Sequence, residues 1–499
     1  MDKLTIEELA VFCKRKGFVY QNSEIYGGMS GFFDYGPLGA ELKNNIKAEW
    51  WKTHVRQRAD VVGIDGSIIT NPKVWQASGH VENFTDLMLN CVKCGHKERA
   101  DLLIESKLNI SADGLDAKQI GELIKKHKIK CTRCGNDVKA PQPFNLMFET
   151  NVGPSETKNI AYLRPETAQV IFTNFKLVQE NARMKLPFGI AQIGRAFRNE
   201  ISPRDFLFRC REFEQMEIEY FVHPYKVNDC PYIKEVSSHS FNVLTSEMQH
   251  KKQKPKKMKV SEMLTKKLIL PWHAYWLAHE HKWLTSLGVK AENLRIRQHV
   301  DTEKSHYATD TWDLEYNFPF GWKELEGVSN RGDFDLKQHM KTSGKDLSYY
   351  DEEEKAKIIP HVVAEPSLGV DRTFLVFLFD AYEYDKKREN VVLKLHPKLA
   401  PIKIAIFPLL SNKKELVKMA KDVYDDLKKE FNCFLDEKGS IGKRYARMDE
   451  AGTPIALTLD FDSLKKKDVT IRDRDSTRQV RIKIKGLKDE IRKRLLCCC

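Results

Sequence analysis

The sequence lacks any long hydrophobic run. No stretch of about 18 apolar residues occurs among its 499 residues, and the segment Met1–Lys16 lacks the apolar core of a signal peptide. Internal repeats are also absent, and the 11 cysteines are too scattered for the disulfide framework of a secreted protein. We therefore expect a soluble cytoplasmic protein without membrane contact, and a chain of this length requires two or three domains.

Acidic residues are in deficit. Lys and Arg number 83 against 70 Asp and Glu, which leaves a net charge of +13. Such an excess favours a polyanionic partner, because phosphate contacts release counterions, but a solvated Lys-rich surface explains the number equally well. The basic run KKQKPKKMK around Pro255 has the same two explanations, and solvation is the favoured one.

Four cysteines form two CxxC pairs, Cys91 with Cys94 and Cys131 with Cys134. A glycine follows each pair and frees the backbone for a tight turn around a thiolate-bound ion, so the pattern favours structural zinc over free buried thiols. The interval between the pairs is longer than usual for such a site. The closing run Cys497–Cys499 could form a lipid or metal site, but an untethered reactive tail is the favoured interpretation, and the sequence assigns the run no role.

The hydrophobic pattern divides the chain into a long and a short domain. Residues 1–385 contain a predicted helix from Pro37 to Arg58, a strand ending at Pro72, further strands and a helix at Leu368–Phe379. Two insertions interrupt this domain, one over residues 88–140 with the CxxC pairs and a helix, and a basic helical one over residues 225–300. Residues 386–400 are a predicted linker, and residues 401–499 alternate strand and helix, which is typical of a compact α/β domain.

Two groups of residues carry candidate chemistry. Arg198-Asn199-Glu200 lies between two strand patterns, and a hairpin would bring Arg209, Arg211 and Phe213 to the same place. Arginines suit a polyphosphate, a carboxylate accepts a hydrogen bond from an exocyclic amine, and an aromatic ring stacks on a base. The second group, Gly369–Arg372, opens an apolar helix, where anions are favoured. Either group alone is weak evidence of function.

Together these groups resemble the conserved elements of a known family. FRNE with the following Arg and Phe resembles motif 2 of class II aminoacyl-tRNA synthetases, GVDR resembles motif 3, and the helix-strand unit ending at Pro72 resembles the dimer-forming motif 1. The narrower resemblance is to the dimeric glycyl-tRNA synthetases, through the phrases YQNSEIYGGMSGFFDYGPLG, ERAD, RPETAQ, RNEISPR, REFEQMEIEYF, KELEGVSNRGDFDL and EPSLGVDR. IGKRYARMDEAGTPIALTLD and TIRDRDSTRQVRI resemble the anticodon-binding domain shared by the glycine, histidine, proline and threonine enzymes, so the resemblance covers nearly the whole chain.

The resemblance implies an α+β fold, with an antiparallel-sheet class II catalytic domain and a C-terminal α/β anticodon-binding domain. It implies a homodimer that uses ATP and Mg²⁺ to convert glycine to glycyl-adenylate and then transfers glycine to tRNA(Gly). Two alternatives stay open: a class II synthetase for another amino acid, and a non-catalytic binding protein on a synthetase scaffold, which should have lost its ATP-binding arginines.

The resemblance also implies roles for single residues at the ATP site, with Arg198, Glu200 and Arg372 as catalytic residues. Arg198 would hold the α-phosphate, Glu200 would bind the adenine amino group, and Phe213 and Arg372 would enclose the ring. Arg209 would meet the terminal phosphates, and Glu324 would help to hold magnesium. The expected ATP site comprises Arg198, Asn199, Glu200, Phe208, Arg209, Cys210, Arg211, Glu212, Phe213, Glu324, Leu325, Gly369, Val370, Asp371 and Arg372.

For glycine, the resemblance implies a pocket built mainly of carboxylates. Several carboxylates around an ammonium explain affinity for a substrate without a side chain, and they crowd the space that a β-carbon would need. No residue resembles a nucleophile or a required general base, since the glycine carboxylate itself would attack the α-phosphorus. The expected glycine site comprises Arg99, Glu166, Phe213, Glu214, Gln215, Met216, Glu217, Glu365, Pro366, Ser367, Leu368 and Gly369.

Overall fold

A computed structural model describes residues 4–496 except 109, 111, 113–114, 155–158, 302 and 304–307. The Cys497–Cys499 run lies outside the described residues. None of the helices in the described part of the chain combines the length and the apolar character needed to cross a lipid bilayer.

The N-terminal region places the predicted long helix against the core. The helix begins at Pro37, a residue favoured at the first helical position, and buries Leu42, Ile46 and Trp50 on one face. The predicted strand up to Pro72 is two strands in different sheets, because the polar segment 65–67 interrupts its β-branched residues. The elements are α1 (Ile6–Lys16), β1 (Val19–Gln21), β2 (Phe33–Tyr35), α2 (Pro37–Trp51) with a π-helical turn (Lys52–Arg56), β3 (Val61–Ile64), β4 (Ile69–Thr70), α3 (Pro72–Ala77) and α4 (His80–Asn83).

The segment with the CxxC pairs has a small core of its own. Leu89, Ile104 and Ile120 lie within it, and an Asp116 capping box starts the helix predicted in this segment. The elements are β5 (Thr85–Asn90), β6 (Lys97–Arg99), α5 (Ala100–Leu108), α6 (Ala117–His127) and β7 (Gln142–Asn145). The three strands form a sheet in the order β6-β5-β7.

The second predicted insertion contributes strands as well as helices. Phe241, Val243 and Ile296 are buried at alternating positions, and their strands extend the main sheet, which the basic composition of the segment concealed. Its longest helix is largely buried and buries three tryptophans, among them Trp272 and Trp283. The elements are α8 (Ile233–Val236), β12 (Ser240–Leu244), α9 (Ser246–His250), β13 (Lys256–Lys259), α10 (Val260–Thr265), α11 (Pro271–Ser286) and β14 (Leu294–Gln298), and they follow β8 (Phe148–Asn151), β9 (Ile160–Leu163), α7 (Ala168–Asn181), β10 (Phe188–Phe197) and β11 (Glu212–Val222).

A nine-stranded sheet forms the centre of the long domain. Its order is β13-β12-β14-β15-β16-β19-β11-β10-β3, and all neighbours are antiparallel except β12 with β14 and β10 with β3. The helix predicted at Leu368–Phe379 begins two residues later, because Leu368 and Gly369 still pair with β11. The remaining elements are β15 (Asp310–Phe318), β16 (Gly321–Asn330), α12 (Phe334–Ser343), β17 (Tyr349–Asp351), β18 (Ala356–Ile358), β19 (His361–Gly369), α13 (Val370–Ala381), β20 (Tyr382–Asp385) and β21 (Asn390–Leu393).

The predicted linker at residues 386–400 is partly ordered as strand β21, which pairs with β20 in a hairpin. Its polar, charged sequence concealed the buried pair Val391 and Val392. Arg388 in the hairpin donates hydrogen bonds to Asp449 Oδ2 at 3.1 Å and to the Arg474 carbonyl at 2.8 Å. The hairpin therefore anchors the C-terminal part of the chain.

The C-terminal part has the expected α/β character. Its five-stranded sheet has the order β23-β22-β24-β25-β26, parallel in its first three strands and antiparallel in the rest. The elements are β22 (Ile404–Pro408), α14 (Lys414–Leu427), β23 (Cys433–Leu435), α15 (Ile441–Glu450), β24 (Ile455–Leu459), α16 (Phe461–Lys466), β25 (Asp468–Asp473), β26 (Gln479–Lys483) and α17 (Leu487–Leu496). The expected fold class is confirmed: an antiparallel-sheet core domain followed by an α/β domain.

Candidate active site

One cavity of about 400 Å³ collects most of the expected site residues on one face of the nine-stranded sheet. The hairpin of β10 and β11 supplies the arginines, strands β16 and β19 supply carboxylates, and the first turn of α13 closes one side. The expected residues that line it are Arg99, Glu166, Arg198, Glu200, Phe208, Arg209, Cys210, Phe213, Gln215, Glu217, Glu324, Leu325, Glu365, Ser367, Gly369, Asp371 and Arg372.

Other expected residues do not line the cavity, chiefly because side chains alternate along a strand. Positions 213, 215 and 217 of β11 face the cavity, so the even-numbered side chains between them face away, and the same holds for β19. Glu214, for example, pairs with Lys47 of α2 at 3.0 Å. The residues outside the cavity lining are Asn199, Arg211, Glu212, Glu214, Met216, Pro366, Leu368 and Val370.

Arg211 has a supporting position instead of a place in the cavity. Its guanidinium donates two hydrogen bonds to the Glu200 carbonyl, at 2.8 and 3.0 Å, and one to the Ser30 carbonyl at 3.1 Å. Arg211 thereby holds the loop between β10 and β11 against the N-terminal segment. Its contribution to the site is the placement of Glu200.

One end of the cavity is cationic. The Arg198 guanidinium lies between two rings, 5.4 Å from the Phe84 centroid and 5.2 Å from the Phe213 centroid. Arg372 lies 4.5 Å from the Phe208 centroid. Burial, together with the nearby cations Arg99 and Arg372, lowers the pKa of Arg209, although Glu200 and Asp86 partly offset them. Arg99, Arg198, Arg209 and Arg372 all line the cavity, and such a group of arginines suits a polyphosphate.

A carboxylate faces this cationic end. Glu324 Oε2 lies 3.3 Å from Arg372 Nη1. The Glu324 side chain is half exposed, and Arg372 and His299 lower its pKa. Glu324 is therefore an ionised carboxylate beside the arginines, a suitable ligand for the magnesium ion that accompanies a nucleotide.

The other end of the cavity is anionic, with three buried carboxylates, Glu166, Glu217 and Glu365. Thr167 donates a short hydrogen bond to Glu217, and Ser367 Oγ donates to Glu217 Oε1 at 2.6 Å. Burial and the neighbouring Glu166 raise the pKa of Glu217. An incoming ammonium would offset this repulsion between carboxylates, so the anionic end suits an amino group.

A network of buried ion pairs holds two of these carboxylates, Glu365 and Glu166, in place. Arg331 donates to Glu365 Oε1 at 2.8 Å and to Asp335 Oδ2 at 2.7 Å. Burial opposes ionisation of Glu166, but His80 at 3.3 Å and the charge of Arg331 lower its pKa. Glu166 and Glu365 therefore have fixed orientations before any substrate binds.

Some cavity residues were not found from the sequence. Asp86 is one of them. Its Oδ2 lies 2.9 Å from Arg99 Nη1, so Asp86 holds the side chain of Arg99, which was expected at the glycine site. Thr311 and Asp313 are polar positions that alternate with buried apolar ones on β15, and this alternation is the signal in the sequence that identifies them. The residues missed are Phe84, Asp86, Leu146, Leu207, His299, Thr311, Asp313, Gly327 and Ser329.

The two CxxC pairs come together at the edge of the first insertion. The Cys91 and Cys134 sulfurs are 3.4 Å apart, and those of Cys94 and Cys131 are 3.7 Å apart. Glycines with positive φ, 67° and 70°, follow the two pairs, as the sequence predicts for tight turns. Tetrahedral zinc bonded at about 2.3 Å would separate its sulfur ligands by about 3.8 Å, so the four thiols fit the ion.

Comparison with known proteins assigns the chain to a family. The model of the tRNA synthetase class II core domain (G, H, P, S and T) matches residues 148–380, and that of the anticodon binding domain matches residues 403–494. Glycine–tRNA ligase of Caldanaerobacter subterraneus subsp. tengcongensis is 46% identical over 97% of this chain and 96% of its own length. The glycine–tRNA ligases of Acetivibrio thermocellus and Geobacillus kaustophilus are each 46% identical over 97% of this chain and 97% and 98% of theirs. This chain therefore belongs to the glycine–tRNA ligase family of class II aminoacyl-tRNA synthetases.

Proposed function

We propose that the chain is an aminoacyl-tRNA ligase that activates glycine with ATP and transfers it to tRNA. Relatives that match it over nearly its whole length are glycine–tRNA ligases, and it has both the class II core and the anticodon-binding domain. The observation that carries the proposal is one cavity lined by four arginines and by the buried carboxylates Glu166, Glu217 and Glu365, which we describe as its cationic and anionic ends. These ends suit the triphosphate of one substrate and the ammonium of the other.

We infer that ATP occupies the cationic end. Adenine would replace the guanidinium of Arg198 on the face of Phe213, which frees that guanidinium for the α-phosphate. Arg209, at 3.9 Å from Glu200, would turn to the terminal phosphates, and the Glu200 carboxylate would then accept a hydrogen bond from the adenine amino group. Arg372 would close the nucleotide from the side of α13.

The magnesium ion that accompanies ATP would be held by Glu324. This carboxylate is ionised beside Arg372, and carboxylate and phosphate oxygens are the ligands that Mg²⁺ prefers. The ion would supply charge compensation to the phosphate oxygens.

Glycine would bind at the anionic end. Its ammonium would contact Glu217, whose orientation is fixed by Thr167 and Ser367, and Glu166 and Glu365 line the same part of the cavity. These groups leave little room for a β-carbon, which gives selectivity against alanine and serine by exclusion. Arg99 lines the same cavity and would contribute to substrate binding from the first insertion.

The chemistry then needs positioning more than proton transfer. The glycine carboxylate oxygen forms a bond to the α-phosphorus, the bond to the bridging oxygen breaks, and pyrophosphate leaves with the electron pair. Arg198 and Arg209 stabilise the charge on the phosphate oxygens during this step. A ribose hydroxyl of tRNA then attacks the carbonyl carbon of the adenylate, and AMP leaves.

The four cysteines Cys91, Cys94, Cys131 and Cys134 would hold a structural zinc ion. Their sulfur atoms all lie within 4.8 Å of one another, and the distances given above match a tetrahedral set. The ion would secure the insertion that carries Arg99, at the end of β6. Its role is structural, since four thiolates leave no open position for a substrate.

The remaining features follow from family membership. The domain formed by residues 401–499 would bind the anticodon of tRNA(Gly), and residues 386–400 would connect it to the catalytic domain of residues 1–385. The α2–β3 unit resembles motif 1, so we infer a homodimer, which light scattering of the purified protein would test. We also infer a cytoplasmic enzyme, because tRNA charging serves protein synthesis.

Amino-acid-dependent exchange of pyrophosphate into ATP tests the proposal. Glycine, alanine, serine, proline and threonine are compared on the purified chain, and exchange with glycine alone is the expected result. Exchange with another amino acid would keep the ATP site and refute the carboxylate pocket. Absence of exchange with all five would favour a non-catalytic binding protein.

A further inference from the structure

One buried acid beside the anionic end of the cavity has no part in the chemistry described above. Glu219 lies on β11 two residues beyond Glu217, so the two side chains are on the same face of the sheet. Glu219 has no exposed surface and is not among the residues that line the cavity. It therefore cannot contact glycine directly, and any effect on the substrate must pass through a neighbouring side chain.

The pairing of β11 with β19 places Glu219 beside the cavity residue Glu365. Glu217 is opposite Ser367 in this antiparallel pair, and the pairing becomes irregular only after Tyr220, so Glu219 is opposite Glu365. A carboxylate oxygen of Glu219 lies within 4.8 Å of one from Glu365 and one from Glu217. Like charges directly opposite each other destabilise a sheet, so this arrangement favours a neutral form of one of the acids.

Glu219 also has no hydrogen-bond donor. Within the described part of the chain, neither of its oxygens accepts a hydrogen bond, although both are buried. Arg331 donates to Glu365 Oε1 at 2.8 Å, and to the two Asp335 oxygens at 2.7 and 2.8 Å. An ionised Glu219 would be a buried charge without a donor, whereas a protonated carboxyl is itself a donor and needs only an acceptor.

The surroundings of Glu219 are strongly anionic. Burial, and after it the charge of Glu365, raise the pKa of Glu219 well above its usual range. Glu217 and Asp335 act in the same direction, and Arg331 offsets them only in part. Burial raises the pKa of Glu365 as well, but Glu365 accepts a hydrogen bond from Arg331 and lines the cavity. The negative charge is therefore better placed on Glu365 and the proton on Glu219.

We propose that Glu219 is a protonated positioning residue, which donates a hydrogen bond to Glu365 and keeps that carboxylate ionised and oriented towards the substrate ammonium. This inference rests on the proposed binding of glycine at the anionic end of the cavity. A hydrogen bond from a carboxyl O–H to a carboxylate is charge-assisted and strong. It stabilises the ionised form of its acceptor, so Glu365 would retain its charge although it is buried among other acids.

An ionised Glu219 is the competing explanation. It would attract the ammonium through its own charge from beneath the cavity, and it would donate no hydrogen bond. A neutral amide at this position separates the two explanations, because glutamine donates a hydrogen bond as a protonated carboxyl does but carries no charge.

Infrared difference spectroscopy of the purified full chain without substrates tests the protonation directly. The wild-type spectrum minus that of Glu219→Gln, at neutral pH, should contain the C=O stretching band of a protonated carboxyl, and the band should shift when deuterium replaces the acid proton. A difference spectrum with carboxylate bands alone would overturn the proposal. Because no substrate is needed, this result is independent of the proposed function.

Pyrophosphate exchange tests the donated hydrogen bond. Glu219→Met should raise the KM for glycine about tenfold, as expected for the loss of one hydrogen bond to a charged group, while the KM for ATP stays near the wild-type value. Glu219→Gln should restore most of the lost affinity. An equal rise in the KM for glycine in both variants would overturn the proposal. Absence of glycine-dependent exchange in the wild-type chain would instead refute the proposed function.

Glu326→Met is a matched control for the removal of a buried acid. Glu326 lies on β16 without exposed surface and outside the cavity lining, and within the described residues neither of its oxygens accepts a hydrogen bond. This variant should keep the wild-type KM for glycine. Glu219→Gln and the infrared measurement keep the test valid if Glu219→Met fails to fold.

The pH dependence distinguishes a donated hydrogen bond from a purely structural role. Loss of the donor raises the pKa of Glu365, so in Glu219→Met the KM for glycine should begin to rise at a higher pH than in the wild type as the pH falls. Glu219→Gln should follow the wild type. If Glu219 were ionised, both variants would remove a repulsive charge and shift the rise to lower pH, which would overturn the proposal. The other charged groups around Glu365 are the same in all three proteins: Arg331, Glu217, Glu166 and Asp335.

Discussion

Replacing Glu217 by Gln tests the anionic end of the cavity most directly. The amide keeps the size of the side chain, and its oxygen still accepts from one of the two hydroxyls, Ser367 or Thr167, while its NH2 group no longer accepts from the other. The change also removes the charge that would hold the glycine ammonium. A hydrogen bond to a charged group contributes about 1.5–3 kcal/mol. Because a loss of about 1.4 kcal/mol in binding free energy weakens binding about tenfold, we expect the KM for glycine to rise about 10- to 150-fold.

The assay is pyrophosphate exchange with glycine and ATP varied separately. The KM for ATP should stay near the wild-type value, because the arginines that would bind ATP are at the other end of the cavity. Glu180→Gln is a matched control, since this glutamate lies on the exposed side of α7 and pairs with Lys176 at 3.3 Å. An unchanged KM for glycine, or an equal rise in both KM values, would refute the assignment.

The pH dependence provides a second check on the same residue. Burial and Glu166 raise the pKa of Glu217, so lowering the pH protonates Glu217 before ordinary carboxyl groups. Protonation removes the charge that attracts the ammonium, and the wild-type KM for glycine should therefore rise as pH falls towards this raised pKa. In Glu217→Gln the rise should be smaller, since the group that titrates is absent.

Three further predictions concern the other end of the cavity, the cysteines and the buried network. Arg198→Ala should abolish adenylate formation, measured by pyrophosphate exchange, while filter binding of tRNA stays near wild type, because this arginine would contact ATP only. Cys131→Ser should remove one zinc ion per chain and raise amide hydrogen exchange in residues 88–140. Arg331→Met should lower the free energy of unfolding by about 3–5 kcal/mol, since it leaves Glu365 and Asp335 as buried charges without their cation.

Matched variants separate these effects from general damage. Arg195→Ala, exposed and paired with Glu212 on the opposite face of the sheet, should keep normal exchange activity. Cys433→Ser should retain the zinc ion proposed at Cys91, Cys94, Cys131 and Cys134. Lys357→Met, which breaks an exposed pair with Asp346, should leave the unfolding midpoint unchanged. Normal adenylation by Arg198→Ala, full zinc in Cys131→Ser or an unchanged midpoint for Arg331→Met would each contradict the corresponding reasoning.

Much of the site was readable from the sequence, because its residues lie in short continuous phrases. The loop from Arg198 to Phe213 and the start of α13 carry, in two short stretches, the side chains that we propose bind the nucleotide. The helix at Pro37 and the glycines after the CxxC pairs were predictable for a similar reason: local conformational preference determines them.

Other features depend on contacts between distant segments. The motifs REFEQMEIEYF and EPSLGVDR contain neighbouring residues with opposite orientations. Only the pairing of β11 with β19 decides that Glu217 and Ser367 face the cavity while Glu214 and Leu368 face away. A bulge in β16 likewise places Glu324 at the cavity, whereas Glu326 lies outside the cavity lining.

The sequence by itself determined the class of fold, the family resemblance and the chemical types present at the site, since these depend on pattern and on continuous motifs. The tertiary structure alone decided which side chains meet. Asp86 beside Arg99, and His54 beside Glu280, are juxtaposed by packing between segments far apart in the chain. No local pattern encodes such pairs, because the packing of the whole core sets their distance.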